Sequence, residues 1–174
     1  MVSSFRSHSA VPVLLVLFAA IPAVAAANEM TPVPATLPPS IQVESLLRSV
    51  TDRMLEKSPT FKRQCHVIGA SESIVVKVRV VPASRNTFTR ATTTFRRYTS
   101  GFTVADVEIP AASRLVELLA HEFEHIAEYV EGVNLKALVR EHPEEAYELR
   151  DGSFETDRAV KAGRAAQQEL ERRP

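Results

Sequence analysis

One short pattern constrains both the local structure and the chemistry of this chain. His121, Glu122, Phe123, Glu124 and His125 form an H-E-x-x-H pentapeptide. Two histidines four residues apart lie on one face of an α-helix, so both imidazole rings can reach a single metal ion. The carboxylate that follows the first histidine projects to the side of that face, where it can polarise a metal-bound water without being a ligand. The pattern therefore predicts a helical metal site with a general base beside it.

The residues around the pentapeptide favour the helix that it needs. Apolar side chains recur at helical spacing between Ser113 and Val133, and Gly132 is a typical helix stop. Upstream, the period changes to the alternation of β-strands, with a Ser100-Gly101 turn between the last two. The predicted strands are 73–81, 92–98 and 102–109. We expect an α+β fold with a small, mostly antiparallel sheet of three to four strands, an active-site helix and a C-terminal helix.

The N-terminal region has the features of a targeting segment. Arg6 and His8 precede a short apolar run, and small residues that fit an A-x-A cleavage site follow it, so we expect a signal peptide over residues 1–27. Residues 28–40 are rich in proline and predict an extended linker, and residues 41–174 are expected to form a single domain. The protein is then exported, periplasmic or secreted, without stable membrane insertion once the signal is removed. The alternative is an uncleaved membrane anchor.

Ser40 is expected to cap a helix that ends near Ser58, since apolar side chains between them recur at helical spacing. The single cysteine, Cys65, falls in a predicted strand over residues 64–69. An exported chain with one cysteine cannot form an internal disulfide, so the fold must rest on its hydrophobic core, with or without a metal. A buried, unreactive side chain is the expected role of this cysteine.

The net charge of the chain does not point to an anionic partner. Its 21 Lys and Arg residues balance its 21 Asp and Glu residues. A net charge of zero gives no reason to expect nucleic acid or an anionic membrane surface as a partner.

A zinc hydrolase normally has three protein ligands and keeps a fourth position for water, so a third ligand must follow the two histidines. Glu131 stands where the longer H-E-x-x-H-x-x-G-x-x-H motif has its third histidine, but that motif needs glycine at the position of Glu128. Without the glycine the helix continues and carries Glu131 past His125. Three later carboxylates lie among many charges and are typical of a solvated surface: Glu144, Glu145 and Glu148.

Glu155 is the favoured third ligand. A last helix is predicted from Phe154 to about Glu171, with Ser153 as its N-cap, and Glu155 falls in its first turn. Small residues follow on the same face and allow close packing against another helix: Ala159, Ala162 and Ala166. A carboxylate at the start of such a helix can be presented inward at short range.

At this point the sequence resembles a family. H-E-F-E-H on a helix after a small sheet, with a Glu on a later helix, looks like the gluzincin branch of zinc metallopeptidases. The run from Phe154 to Gly163 is similar to the F-E-T-x-x-A-x-x-A-G pattern of short exported bacterial H-E-x-x-H proteins. The resemblance covers roughly Phe102 to Leu170. It implies a zincin-like fold and Zn2+ bound by His121, His125 and Glu155.

The same resemblance implies hydrolysis of peptide bonds by a zinc-activated water, with Glu122 as the general base. It also implies that a strand lines up an extended peptide substrate, and Thr103 to Ile109 is expected in that role because it directly precedes the helix. Asp106 and Glu108 on this strand would favour basic or neutral peptides.

The chain departs from the larger gluzincins at two points. Ala159 stands where they often carry an Asp that supports a histidine ligand, and no histidine is clearly placed to stabilise an oxyanion. Tyr147, His142 and Arg158 remain candidates for that second role.

Three other interpretations of the pentapeptide stay open. One is an accidental match on an acidic surface helix. Another is a non-catalytic exported binding protein with a zincin-like fold, metal-bound or metal-free. The third is a structural zinc site with a fourth protein ligand, for which His66 or His142 is available.

Overall fold

The fold is α+β, as the sequence predicts. A computed structural model describes residues 36–82, 90–111 and 114–172. The predicted signal peptide and most of the predicted linker lie outside these residues. The strands are β1 (Ile41–Val43), β2 (Ile74–Val81), β3 (Thr92–Arg97), β4 (Thr103–Pro110), β5 (Ala146–Glu148) and β6 (Phe154–Thr156). The α-helices are α1 (Arg48–Lys57), α2 (Pro59–Gly69), α3 (Leu115–Val130), α4 (Leu135–Glu141) and α5 (Asp157–Glu171).

The larger sheet has four strands in the order β1-β2-β4-β3. Its β1–β2 and β2–β4 pairs are parallel and only β3–β4 is antiparallel, so the prediction of a mostly antiparallel sheet is wrong. The predicted hairpin of β3 and β4 is confirmed, with Gly101 in its turn at a φ of 84°. The error arises because β4 inserts between β3 and β2, which are consecutive along the described strands but are not neighbours in the sheet.

The two faces of this sheet differ in chemistry. One row across the four strands contains Ile41, Val76, Ala105 and Phe95, and these side chains belong to the core or pack against it. The opposite face carries charged side chains that pair across neighbouring strands: Arg79 with Glu108 and Arg96 with Asp106. Helices therefore cover one face of the sheet, and the charged side chains of the other face are exposed to solvent.

The N-terminal part of the domain corrects one prediction. Residues Ile41–Val43 form β1 rather than the first turn of a helix, and a 3-10 turn at Ser45–Leu47 leads into α1. Ile41 pairs with Val76 in parallel register. Ile41 and Val43 are β-branched and two residues apart, so they share one face of a strand, whereas residues at this spacing point to different sides of a helix.

Cys65 lies in a helix and not in the predicted strand. Ser58 caps α2, its hydroxyl accepting a hydrogen bond from the amide of Phe61, and Pro59 occupies the first helical position. The sequence predicted that a helix ends near Ser58. In the structure α1 does end there, and Ser58 and Pro59 also begin α2. Buried side chains then recur at helical spacing: Phe61, Gln64, Cys65 and Ile68. The prediction that Cys65 is a buried small side chain is confirmed, since it is fully buried.

The helices α2, α3 and α5 pack together over the inner face of the sheet and share one hydrophobic core with it. Phe61 of α2 and Phe123 of α3 meet there with ring centroids 5.0 Å apart. Among the described residues, no helix combines the length and the apolar character needed to cross a membrane.

The environment of Cys65 predicts an inert thiol. Burial raises the pKa of the Cys65 thiol to about 12, and the reactive thiolate is then scarce at neutral pH. We expect less than one tenth of the protein to react with a thiol-specific reagent over the time in which denatured protein reacts completely. Mass spectrometry after alkylation measures this, with the denatured chain as the control. Rapid labelling of the folded protein would contradict the buried position of the side chain.

Candidate metal centre

Helix α3 places the H-E-x-x-H pentapeptide at the centre of the domain. Leu119, Phe123 and Ile126 are fully buried on its core side. The helix ends at Val130, and Gly132 follows with a φ of 76°, a left-handed conformation that glycine adopts without strain. The predicted stop at Gly132 is therefore confirmed. Since the helix is continuous through the pentapeptide, His121 and His125 lie one turn apart on one face, as predicted.

The structure brings the three predicted ligands together. The Nε2 atoms of His121 and His125 are 3.2 Å apart. Oε1 of Glu155 lies 3.2 Å from Nε2 of His121 and 3.5 Å from Nε2 of His125. Among the described residues, one partly buried group of side chains could hold a metal ion, and it consists of these three.

The dimensions of this group fit zinc. Ligand atoms that surround Zn2+ tetrahedrally at about 2.0 to 2.1 Å are separated from each other by about 3.3 Å. The three observed separations of 3.2, 3.2 and 3.5 Å bracket that value. Two imidazole nitrogens and one carboxylate oxygen are also a donor set typical of catalytic zinc, which leaves a fourth position open.

Glu155 reaches the site from a strand rather than from the predicted helix. It lies in the middle of β6, opposite Tyr147 of β5, and α5 begins two residues later. Thr156, not Ser153, is the N-cap of α5, since its hydroxyl accepts a hydrogen bond from the amide of Ala159. The sequence thus predicted that Glu155 lies with the two histidines, but not the local structure that presents it.

The buried carboxylate of Glu128 is a functional candidate that the sequence analysis missed. Its Oε2 lies 3.0 Å from Nδ1 of His125, and its Oε1 accepts a hydrogen bond of 2.8 Å from the hydroxyl of Thr156. A histidine that donates its Nδ1 proton to a carboxylate presents the Nε2 lone pair to the metal in a fixed orientation. In the sequence, position 128 was considered only because the longer motif has a glycine there. The i+3 spacing of Glu128 from His125 is a signal that could have revealed the contact between their side chains.

We expect the Glu128→Gln substitution to weaken zinc binding by about 10- to 100-fold, because the charged acceptor that orients His125 is lost. Competition with a zinc-chelating dye measures the dissociation constant. Glu141→Gln, which removes an exposed carboxylate on α4, is the control and should leave the affinity unchanged. Equal zinc affinity of Glu128→Gln and wild type would show that this hydrogen bond does not support the ligand.

Glu122 is buried, and the hydroxyl of Thr93 on β3 donates a hydrogen bond of 2.7 Å to its Oε2. Together with His125 it lines a cleft of about 770 Å³ between β3 and the C-terminal half of α3. Its carboxylate is not a member of the three-ligand group. Glu122 therefore lies beside the candidate metal position and faces the cleft.

The close approach of α3 and α5 fixes the distance between the histidines and Glu155. A Cβ atom added to Gly163 would lie 2.7 Å from the carbonyl oxygen of Glu117 and 3.4 Å from Cβ of His121. Ala159 and Ala166 are fully buried in the same part of α5. The small residues of the F-E-T-x-x-A-x-x-A-G pattern thus allow the two helix backbones to approach.

We predict that Gly163→Ala destabilises the protein by about 1 to 3 kcal/mol, the cost of overpacking a close contact. This outweighs the gain of up to about 1 kcal/mol in helix propensity. Urea denaturation gives the free energy of unfolding. The comparison of Arg164→Gly with Arg164→Ala, at the exposed neighbouring position, measures the Gly-to-Ala helix preference alone. A Gly163→Ala protein that is more stable than wild type would contradict the close approach.

Beside the two histidines of α3, a buried ionic cluster connects this helix to α2 and α5. Glu124 is fully buried and pairs with Arg63 of α2 and with Nε of Arg158, the latter at 2.5 Å. The side-chain amide of Gln64 donates a hydrogen bond of 2.7 Å to the same carboxylate. Arg158 also pairs with Glu131 at 2.5 Å. Since Arg158 follows Glu155 by three residues, this cluster helps to position the chain segment that carries Glu155.

The charges around the two histidines favour a cation between them. Burial lowers the pKa of His125, but hydrogen bonds to Glu128 and Glu155 and the charge of Glu122 raise it to about 9. Burial raises the pKa of Glu155, but hydrogen bonds from His121 and His125 outweigh this effect and hold it far below its usual range. Nδ1 and Nε2 of His125 thus lie among acceptors that stabilise positive charge, whether it comes from a proton or from a metal ion.

The alternative ligands are not brought to the site. Glu131 pairs with Arg158, as described above, and Glu144 and Glu145 form a separate, exposed group with His142.

Three residues were predicted as candidates to stabilise an oxyanion. Arg158 pairs with Glu124 and Glu131, His142 lies in the exposed group, and the Tyr147 side chain is half exposed on β5. Arg90, which was not predicted as a site residue, lines the cleft, and its Nη2 lies 3.4 Å from Oε2 of Glu155.

The predicted substrate-binding strand is also corrected. Residues Thr103–Pro110 form β4, which pairs with β2 on one side and β3 on the other, so its main chain is not available to a peptide. The cleft is lined instead by residues 92–95 of β3, the edge strand of the sheet.

Searches of protein-family models, curated proteins and solved structures found no match to this chain.

Proposed function

We propose that this protein is an exported, zinc-dependent metallopeptidase with a zincin-like fold. The observation that carries the proposal is the arrangement of His121, His125 and Glu155, whose ligand atoms are spaced for one zinc ion, next to a buried glutamate that faces a cleft. The export signal predicted over residues 1–27 supports the location, and peptides or proteins outside the cytoplasm are the proposed substrates.

The proposed ligands leave room for catalysis. Zn2+ bound by these three side chains would act as a Lewis acid and lower the pKa of a water in the open fourth position. Among the described residues, neither His66 nor His142 joins the group, so the proposed site lacks the fourth protein ligand of a structural zinc site. This difference favours the catalytic interpretation over the structural one.

In the proposed reaction, Glu122 acts as the general base. Its Oε2 accepts a hydrogen bond from Thr93, which fixes the carboxylate while Oε1 remains to take a proton from the attacking water. After the water oxygen bonds to the peptide carbonyl carbon, Glu122 passes the proton to the leaving amine as the C–N bond breaks. Glu128 keeps His125 in the tautomer whose Nε2 faces the ligand group.

Strand β3 is the proposed guide for the substrate. Within the described residues it pairs with β4 on one side only, and its residues 92–95 border the cleft that contains Glu122. An extended peptide can add to such an edge by main-chain hydrogen bonds, which places its backbone parallel or antiparallel to the strand and beside the general base.

The first test separates metal binding from catalysis. The purified protein is stripped with a chelator, reloaded with zinc, and analysed for metal content and for cleavage of casein. Wild type is expected to hold one zinc per chain and to cleave casein. Glu155→Ala should lose zinc and activity together, whereas Glu122→Gln should keep zinc and lose cleavage by about 10²- to 10⁴-fold, the usual contribution of a general base.

Glu148→Gln is the matched control because it removes an exposed carboxylate from β5, the strand that pairs with the ligand-bearing β6. It should resemble wild type in both assays. Wild type without zinc would overturn the metal site, and full zinc occupancy in Glu155→Ala would overturn the third ligand. Zinc binding by wild type without cleavage would favour a non-catalytic binding protein.

A further inference from the structure

The cleft beside Glu122 has an apolar half that the catalytic proposal leaves unused. Five side chains line it from three parts of the chain: Phe95, Tyr129, Val133, Leu135 and Phe154. Its volume of about 770 Å³ is within the range of pockets that bind small ligands or segments of peptide. We propose that this apolar half is a specificity subsite that binds a large apolar side chain, preferably aromatic, of an extended peptide substrate.

The subsite is rigid on one side. The rings of Phe95 and Tyr129 stack with centroids 4.4 Å apart and an angle of 17° between their planes. The phenol oxygen of Tyr129 lies 3.0 Å from the hydroxyl of Thr103, so the polar end of the ring already has a partner. The stacked pair therefore offers a fixed aromatic surface to a ligand at little cost in side-chain entropy.

The other side of the subsite is not needed by the core. Val133 and Leu135 are partly buried and line the cleft, but they do not belong to the hydrophobic core or to the residues packed against it. The turn at Gly132 and the N-terminus of α4 place them in the same cleft as the aromatic pair. Apolar side chains that face a cleft without filling the core are available to bind a partner.

The distance between the subsite and Glu122 determines which residue of the substrate the subsite binds. Thr93 and Phe95 share the inner face of β3, and Thr93 contacts Glu122. Residues i and i+2 of a strand are separated by about 7 Å. A peptide that pairs with β3 and has its reacting carbonyl beside Glu122 therefore places a side chain within two residues of the scissile bond next to Phe95.

The charges of the cleft favour an uncharged side chain there. Arg90 and Asp151 both line it and offset each other, while Glu122 adds a buried carboxylate. An acidic side chain entering the same space would meet that carboxylate, and a charged group of either sign would lose its hydration among aromatic rings.

This inference rests on the proposed function for the direction of the cleft, but its test does not require cleavage. Three fluorescein-labelled nonapeptides of alanine and threonine differ only in the central residue, which is Phe, Ala or Asp. Fluorescence anisotropy measures their binding to zinc-loaded Glu122→Gln. We expect the Phe peptide to bind about 10- to 100-fold more tightly than the Ala peptide, the gain expected for burying an aromatic side chain.

A second variant locates the effect. Leu135→Ser, added to Glu122→Gln, should weaken binding of the Phe peptide by about 3- to 10-fold, because one apolar wall is lost, and leave the Ala peptide unchanged. Leu46→Ser is the matched control, since Leu46 is 70% exposed and does not line the cleft. Thermal unfolding of each variant confirms that the fold is retained.

Equal affinity for the three peptides, including no measurable binding of any, would overturn the subsite. An equal effect of Leu135→Ser on the Phe and Ala peptides would also overturn it. In parallel, mass spectrometry of casein digested by wild type should show a large apolar residue within two positions of most cleaved bonds. Cleavage without this preference refutes the subsite but not the peptidase, whereas preferential binding without cleavage refutes the peptidase but not the subsite.

Discussion

The contact between α3 and α5 is the interaction on which the candidate site depends. Both histidines lie on α3, while Glu155 lies on the short strand that leads into α5. A tetrahedral metal site tolerates only a few tenths of an ångström in the separation of its ligands. Gly163 lets the helix backbones approach, and the Glu124–Arg158 ion pair adds a second contact between α3 and the start of α5. The two contacts together define where the carboxylate of Glu155 can lie.

The ionic cluster around Glu124 is better explained by its effect on the orientation of α3 than by a contribution to the free energy of unfolding. A buried ion pair loses the hydration of both charges, and this loss can equal what the pair gains. Paired carboxylates and guanidinium groups are, however, strongly directional. Glu124 receives partners from both α2 and α5, so the rotation of α3 is fixed relative to two neighbours at once. The same rotation sets the direction in which His121 and His125 point towards Glu155.

The sequence was sufficient to predict the parts of the site that depend on local periodicity. Helical spacing alone brings His121 and His125 together. The small residues that follow Glu155 at helical spacing, and then the resemblance to the F-E-T-x-x-A-x-x-A-G pattern, favoured Glu155 as the third ligand. The structure now gives physical reasons for that pattern: Thr156 caps α5 and donates a hydrogen bond to Glu128, and Gly163 allows close packing. The helix predicted for Glu155 was wrong because the signals for a short strand of three residues and for the first turn of a helix overlap.

The order of strands could not be predicted, and this order decides what a substrate meets. Alternating hydrophobicity tells which face of a strand is buried but not which strand lies beside it. Because β4 inserts between β2 and β3, the threonine-rich β3 becomes the edge that borders the cleft. Asp106 and Glu108 of β4 lie on the far face, paired with Arg96 and Arg79, and do not line the cleft, so the expected preference for basic or neutral peptides loses its geometric basis. The wall beside Glu122 is instead neutral and, around Phe95, apolar, and for that reason side-chain shape and hydrophobicity outweigh charge in the specificity that we infer.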